Sequence, residues 1–276
     1  MRSMLTAATT MNQLQSRMDL QSNNLANLNT YGYKGRQSNF SSLLFQQVDN
    51  IQGNDADSPR LTPEGIRQGA GSRLAHTNMN MNVGTLQTTE RELDVAIQDR
   101  NRFFVVNAQV ENGETEQRFT RSGNFYLQPI NGGEQSMLTT SEGNPVAGQN
   151  GPILIDEGFD GIRLTDQGGV EVTRNGQTAV EGNLQVVDIE RTRGLEPVGA
   201  NSYRLDLEGL GVPADELVAA VAPAEANLAP GALEASNVNF GQEMTSLIES
   251  QRAYSFNAQA IRMGDQMMGL IGSMRS

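Results

Sequence analysis

The stretch Ser22-Asn23-Asn24-Leu25-Ala26-Asn27-Leu28-Asn29-Thr30-Tyr31-Gly32-Tyr33-Lys34 decides how the rest of the chain is read. Followed backwards from it, Leu25, Met18, Met11 and Met4 fall at one heptad position, and Leu28, Gln21, Leu14 and Ala7 at the other. That 3–4 spacing keeps one narrow apolar seam of a helix against a partner. Four amides, Asn23, Asn24, Asn27 and Asn29, crowd the end of the seam. Asparagine competes for backbone groups and forms helices poorly. The four therefore mark either a C-terminal cap, with Gly32 supplying positive φ, or hydrogen bonds to neighbouring chains. The far end repeats the spacing in Phe240, Met244, Leu247, Gln251, Tyr254, Ala258, Ile261 and Met268, with Asp265 weakening the row. Two narrow stripes at opposite ends predict one helical domain built from residues 1–34 and 236–276, with everything between them inserted.

The composition agrees with an inserted β region. Of 276 residues only 37% are apolar and 5% aromatic, with no Trp and 29 Gly, a thin supply of core that suits several small β units. Zero Cys excludes disulfides and thiol chemistry. The acidity is unevenly placed. Residues 1–47 carry Arg2, Arg17, Lys34 and Arg36 against Asp19 alone, and residues 236–276 balance three Arg against three acids, yet the whole chain is −12. The middle is therefore strongly acidic and repels nucleic acid and anionic lipid. Lys34 is the only lysine in the chain. No apolar run approaches the roughly 20 residues of a membrane span, so no direct membrane insertion is expected. The first residues lack the apolar block of a cleaved leader, and a route that reads no leader is expected if the chain is exported.

Residues 35–75 change character. Phe40, Leu43, Leu44, Phe45 and Val48 suggest a short helix, and residues 52–60 have the composition of an exposed loop. The segment is expected to be a linker that gains order on assembly. Residues 76–235 read as β: Leu93, Val95 and Ile97 alternate, as do Tyr203, Leu205 and Leu207. Turns are signalled at Asn131-Gly132-Gly133, Glu142-Gly143-Asn144, Gln167-Gly168-Gly169 and Asn175-Gly176. Short strands so punctuated predict an antiparallel sandwich or barrel-like domain, and the fold class is α+β.

Catalytic chemistry is sparse. His76 is the only histidine, so a multi-histidine metal site is impossible. Asp156, Glu157 and Asp160 could pair as carboxylates but sit among turn glycines, where acids are commonplace. No phosphate-binding glycine loop with a following Lys exists. Met79 and Met81 suit adaptable packing better than metal binding. The expectation is no enzyme, no cofactor and no metal.

The opening stretch resembles the N-terminal signature of the bacterial flagellar rod and hook protein family. Leu233-Glu234-Ala235-Ser236-Asn237-Val238-Asn239, with Glu243-Met244 and Leu247-Ile248-Glu249-Ser250-Gln251-Arg252-Ala253-Tyr254, is similar to its C-terminal signature. Leu93-Asp94-Val95-Ala96-Ile97 before Phe103-Phe104-Val105-Val106, and then Phe119-Thr120-Arg121-Ser122-Gly123-Asn124-Phe125, resemble the opening blocks of its β domain. Where the family places glycines between the Ile and the paired Phe, this chain has Gln98-Asp99-Arg100-Asn101-Arg102. Residues 66–73 look like a distal-rod type and residues 93–106 like a proximal one. The resemblance implies export by the flagellar type III apparatus, a place in the basal body, and partners that are copies of the chain and other rod and hook proteins. It implies a hollow helical tube that transmits torque from motor to hook, lined by terminal helices paired as a coiled coil, with the β domain outward. Polar signature residues Asn237, Asn239, Gln251 and Arg252 would serve that assembly. The competing class is a secreted acidic β-rich protein that binds or hydrolyses carbohydrate.

Overall fold

A computed structural model of the chain describes residues 2–42, 45–48, 66–69, 72–109, 113, 115–199, 201–206 and 217–274. The chain divides into two compact units, one of Met1–Leu25, Arg36–Asn78 and Asn239–Ser276, the other of Ala26–Gly35 and Met79–Val238. No helix among the described residues is long and apolar enough to cross a membrane.

The first unit holds both long helices, α1 (Arg2–Ala26) and α2 (Phe240–Met274). Asn239 starts α2: its Oδ1 accepts from the Gln242 N–H at 3.1 Å and its carbonyl from the Glu243 N–H at 3.0 Å, which satisfies two amides of the first turn. Glu243 adds a carboxylate where the helix dipole favours one. The helices meet in opposite order along the chain. Asn24 Nδ2 donates to Glu243 Oε1 at 3.2 Å, and a Cβ added at Gly264 would stand 3.1 Å from Met4 Cγ.

The same unit corrects one expectation. Of the residues read as a short helix, Phe40 lies in one strand and Phe45 and Val48 in another, while residues 43 and 44 lie outside the described residues. Arg36–Ser42 pairs with Ser72–Met79, and Phe45–Val48 pairs antiparallel with Ile66–Gly69 from Phe45↔Gly69 to Val48↔Ile66. Local spacing at Phe40, Phe45 and Val48 cannot report partner strands that lie between about twenty and forty residues away, and those partners satisfy the backbone groups. The expected loop at 52–60 lies outside the described residues.

The described residues of the second unit are mainly β, with short 3-10 turns at Asn131–Gly133, Thr192–Gly194 and Pro223–Glu225. Its largest sheet runs Leu195–Gly199, Ser202–Leu205, Thr115–Thr120, Arg102–Gln109, Val186–Ile189, Val218–Ala220, with every pairing antiparallel. Arg102–Gln109 is central in it and buried on both faces, which is why it reads as a continuous Phe-Phe-Val-Val run rather than an alternation. Phe104 and Val106 enter a core with Val95, Ile97, Phe125 and Leu138, whereas Phe103 and Val105 join Phe119, Ile189 and Tyr203 on the other side. Two three-stranded sheets complete the main core. They run Leu154–Asp156, Gln135–Thr139, Tyr126–Ile130 and Gly161–Leu164, Gly169–Arg174, Gln177–Asn183. The Asn175-Gly176 turn has φ of 50° and 77°, the two positive values a tight hairpin requires. In the glycine-poor segment 98–102, Asn101 takes φ 57° and replaces glycine, while Arg102 pairs with Asp99 at 2.5 Å.

Candidate functional site

The last short strand, Ala232–Glu234, pairs with Leu86–Thr88 and carries Glu234 into the interior of the β-rich unit. Glu234 Oε1 accepts from Lys34 Nζ at 2.6 Å and from the Gly84 N–H at 2.7 Å. Its Oε2 accepts from Arg121 Nε at 2.9 Å and lies 2.8 Å from Arg121 Nη2. Lys34 also donates to the Asn82 carbonyl at 2.8 Å, and Arg121 to the carbonyls of Asp99, Arg102 and Ile97 at 2.7, 2.9 and 3.2 Å. All three charged side chains are no more than 1% exposed. Two cations therefore share one carboxylate away from water. Burial, then the Arg121 guanidinium, lower the Lys34 pKa from 10.5 to about 8, against the pull of Glu234.

Around this cluster the two ends of the inserted region are fastened. Gly32 (φ 69°) presses on the Arg121–Ser122 backbone so closely that a Cβ would stand 2.6 Å from the Arg121 carbonyl carbon. Its N–H donates to the Glu234 carbonyl at 2.7 Å. Asn237 Oδ1 accepts from the Gly35 N–H at 2.8 Å, and its Nδ2 donates to the carbonyls of Asn80 and Asn82 at 2.7 and 2.8 Å. Sequence reasoning picked out Lys34 as the sole lysine and the end of the opening stretch, and Glu234 and Arg121 only as parts of longer motifs. The signal it could have used is a lone lysine set between Tyr33 and Gly35, both buried.

In the helical unit Asn24 is 1% exposed and its amide pairs with the main chain of Arg36. Its Oδ1 accepts from the Arg36 N–H at 3.0 Å and its Nδ2 donates to the Arg36 carbonyl at 2.9 Å. The amide thus ties the chain beyond α1 back onto the helix, a role neither capping nor intermolecular bonding anticipated. Of the other amides, Thr30 Oγ1 donates to Asn27 Oδ1 at 3.2 Å, while Asn23 and Asn29 are exposed.

On α1, Met4, Met11, Leu14, Met18 and Leu25 are half-buried, and Ala7, Gln21 and Asn24 are buried; half-buried Leu28 lies past the helix end. On α2 the half-buried and buried row is Glu243, Leu247, Ser250, Tyr254, Asn257, Ile261 and Gly264, with Met244 beside it. Leu247, Tyr254 and Ile261 belong to the seam named from sequence; Gln251, Arg252 and Met268 are exposed. The inward row keeps Leu247, Tyr254 and Ile261 of the apolar reading and takes in Ser250 and Asn257, polar side chains that bond their own helix. Ser250 Oγ donates to the Ser246 carbonyl and Asn257 Nδ2 to the Ala253 carbonyl, each at 2.8 Å.

The acidic residues raised as candidate carboxylates have separate partners. Asp156 Oδ1 accepts from Gln135 Nε2 at 2.8 Å, Glu157 Oε1 from Ser136 Oγ at 2.6 Å, and Asp160 Oδ2 from the Asn175 N–H at 2.8 Å. Among the described residues no group of three or more His, Cys, Asp or Glu could hold a metal ion. The His76 side chain lies outside what the structure describes.

Two family models match the chain, one at each end. Residues 4–34 match a model described as flagella basal body rod protein, and residues 229–273 one described as flagellar basal body rod FlgEFG protein C-terminal. The flagellar hook-basal body complex protein FlhP of Bacillus subtilis is 36% identical over 279 residues, covering 100% of both chains. The flagellar basal-body rod protein FlgG of Caulobacter vibrioides is 31% identical over 278 residues, again covering 100% of both. FlgG of Bacillus subtilis is 29% identical over 274 residues, 97% of each.

Proposed function

The chain belongs to the flagellar basal-body rod protein family, and from that premise we propose that it polymerises into a hollow helical tube that transmits torque. It is a structural subunit of the flagellar basal body. In the finer reading, α1 and α2 pair as a coiled coil along the row Glu243, Leu247, Ser250, Tyr254, Asn257, Ile261, and the helical unit lines the tube.

The observation that carries this reading is a second row on α2. Phe256, Met263, Met267, Leu270 and Met274 are 59–87% exposed, and with exposed Ala260 they repeat at 4, 3, 4, 3 and 4 residues. At 3.6 residues per turn they lie roughly 120° round the helix from the half-buried row. Among the described side chains of α1 the exposed ones, by contrast, are small or polar: Ala8, Asn12, Gln15, Ser16, Asp19, Ser22, Asn23 and Ala26. An apolar stripe at coiled-coil spacing on α2, with no counterpart among the described side chains of α1, calls for a partner elsewhere. A stripe that meets a different surface on the next copy makes a heterologous contact that does not close, which builds a filament.

The partners are copies of this chain and other rod and hook proteins, delivered by the flagellar type III export apparatus, and the chain catalyses no reaction. Phe256→Asp and Leu270→Asp test this reading, since both sites are exposed and the free chain should fold and melt as before. The variants should be missing from purified basal bodies and the cells should not swim. Basal bodies that contain either variant in normal amount would sink it.

A further inference from the structure

Three of the residues on the outer row of α2 are methionines: Met263, Met267 and Met274, at 59, 62 and 87% exposure. Elsewhere on the helices Met4, Met11, Met18 and Met244 are half-buried, and Met268, off the outer row, is 40% exposed. Thioether oxidation follows exposure, and it converts a flexible apolar side chain into a polar one that disrupts Met-rich interfaces. From this juxtaposition we propose that Met263, Met267 and Met274 are a modification site, and that their oxidation by hydroperoxides in the free subunit switches off self-association. The inference rests on the reading that the outer row of α2 packs against another copy.

Each step balances. The thioether sulfur attacks the terminal peroxide oxygen, the O–O bond breaks, sulfur gains an S=O bond as it loses two electrons, and the leaving oxygen takes the proton of the attacked O–H and departs as water from hydrogen peroxide or as the alcohol from an organic hydroperoxide. The sulfoxide oxygen then accepts hydrogen bonds that an apolar contact cannot supply, so burying it against the next copy costs free energy. A thiol-dependent sulfoxide reductase reverses the change: two thiols become a disulfide and the oxygen leaves as water. Assembly itself covers the three side chains, so the subunit is sensitive before incorporation and protected after it. The chain has no Cys to divert the oxidant.

The experiment uses the full-length chain. Hydrogen peroxide is applied to the free subunit, oxidised sites are mapped by peptide mass, and self-association is followed by sedimentation with concentration. Met263, Met267 and Met274 should gain oxygen before Met4, Met18 and Met244. The concentration for half-association should rise by about tenfold or more and return after treatment with both sulfoxide reductases. A variant carrying Met263→Leu, Met267→Leu and Met274→Leu is compared with itself: its own concentration for half-association, whatever its value, should not rise on peroxide treatment. If oxidised and unmodified chains associate alike, or the leucine variant loses association on peroxide to the same extent, the switch is overturned while the packing reading stands. If the unmodified chain does not associate at any concentration, the packing reading fails and the switch falls with it.

Discussion

Lys34 Nζ and Glu234 Oε1 stand 2.6 Å apart although 200 positions separate them in sequence, and both side chains are 1% exposed. A buried ion pair gains little net stability, because desolvation offsets the attraction, but it leaves few alternative ways to place its partners. Here those partners lie near the two chain ends of the β-rich unit, Lys34 in its first segment Ala26–Gly35 and Glu234 shortly before its end at Val238. We read the pair, with Arg121, as the fastening that fixes where the β-rich unit begins and ends.

The charge count of the cluster makes the first prediction. Glu234→Gln leaves two buried cations with no counter-charge and should cost about 3–5 kcal/mol of β-unit stability. Lys34→Met leaves the Arg121–Glu234 pair balanced and should cost within about 1 kcal/mol. Urea unfolding of the full-length chain checks the order. A Lys34→Met variant as unstable as Glu234→Gln would show that the three do not act as one charge-balanced group.

A pH dependence follows from the lowered Lys34 pKa. In the folded chain the ammonium loses its proton at about pH 8, against 10.5 for the ordinary group. Between those values the unfolded chain binds more protons than the folded one, so stability rises with pH across that window. The contribution is absent below about pH 8 and complete above 10.5, amounting at most to roughly 3 kcal/mol. Lys34→Met lacks this part of the slope. Unfolding midpoints of both chains at pH 7, 8, 9 and 10 measure the difference, and parallel curves would remove the claim.

Gly32 provides a steric test with an internal control. Both Gly32 (φ 69°) and Gly176 (φ 77°) are left-handed, but nothing lies within 4 Å of a Cβ at Gly176, whereas one at Gly32 meets Arg121 backbone at 2.6 Å. Gly176→Ala should therefore cost about 1–2 kcal/mol, the left-handed penalty alone. Gly32→Ala should cost clearly more, since the main chain it meets cannot turn aside. Thermal melting decides it, and equal losses would mean that the contact is relaxed cheaply.

Much of this was legible in sequence, for identifiable reasons. Heptad spacing located α1 and α2, because an apolar period is local. Asn175-Gly176 announced its hairpin, because only a few residues accept two positive φ values. The row that α2 turns inward was misplaced by one residue at Ser250 against Gln251, since hydropathy sends serine outward and cannot see its hydroxyl bonded to Ser246. The strand Phe45–Val48 and the Lys34–Glu234 pair were missed because each depends on a partner distant in the chain.

Asn24 supplies the last prediction, because the structure changes what its substitution tests. Had the amide merely ended α1, Asn24→Asp would cost only the roughly 0.3–1 kcal/mol that a carboxylate meets at a helix C-terminus. Instead Nδ2 donates to the Arg36 carbonyl and to Glu243 Oε1, and Oδ1 accepts from the Arg36 N–H. Aspartate keeps the acceptor, loses both donations, and places a second carboxylate at hydrogen-bond distance from Glu243. Alanine loses all three bonds but adds no charge. Each buried partner left unpaired costs about 1–3 kcal/mol, and like charges in contact add to that. Asn24→Asp should therefore destabilise the helical unit more than Asn24→Ala. Adding Glu243→Gln to Asn24→Asp should recover part of the loss, because the repulsion goes and the new amide can donate to the aspartate. Far-ultraviolet circular dichroism through a thermal scan, with limited proteolysis reporting on α1 and α2, measures all three chains. If Asn24→Asp proves milder than Asn24→Ala and Glu243→Gln restores nothing, Asn24 acts on its own helix end and not through the pairing with Arg36 and Glu243.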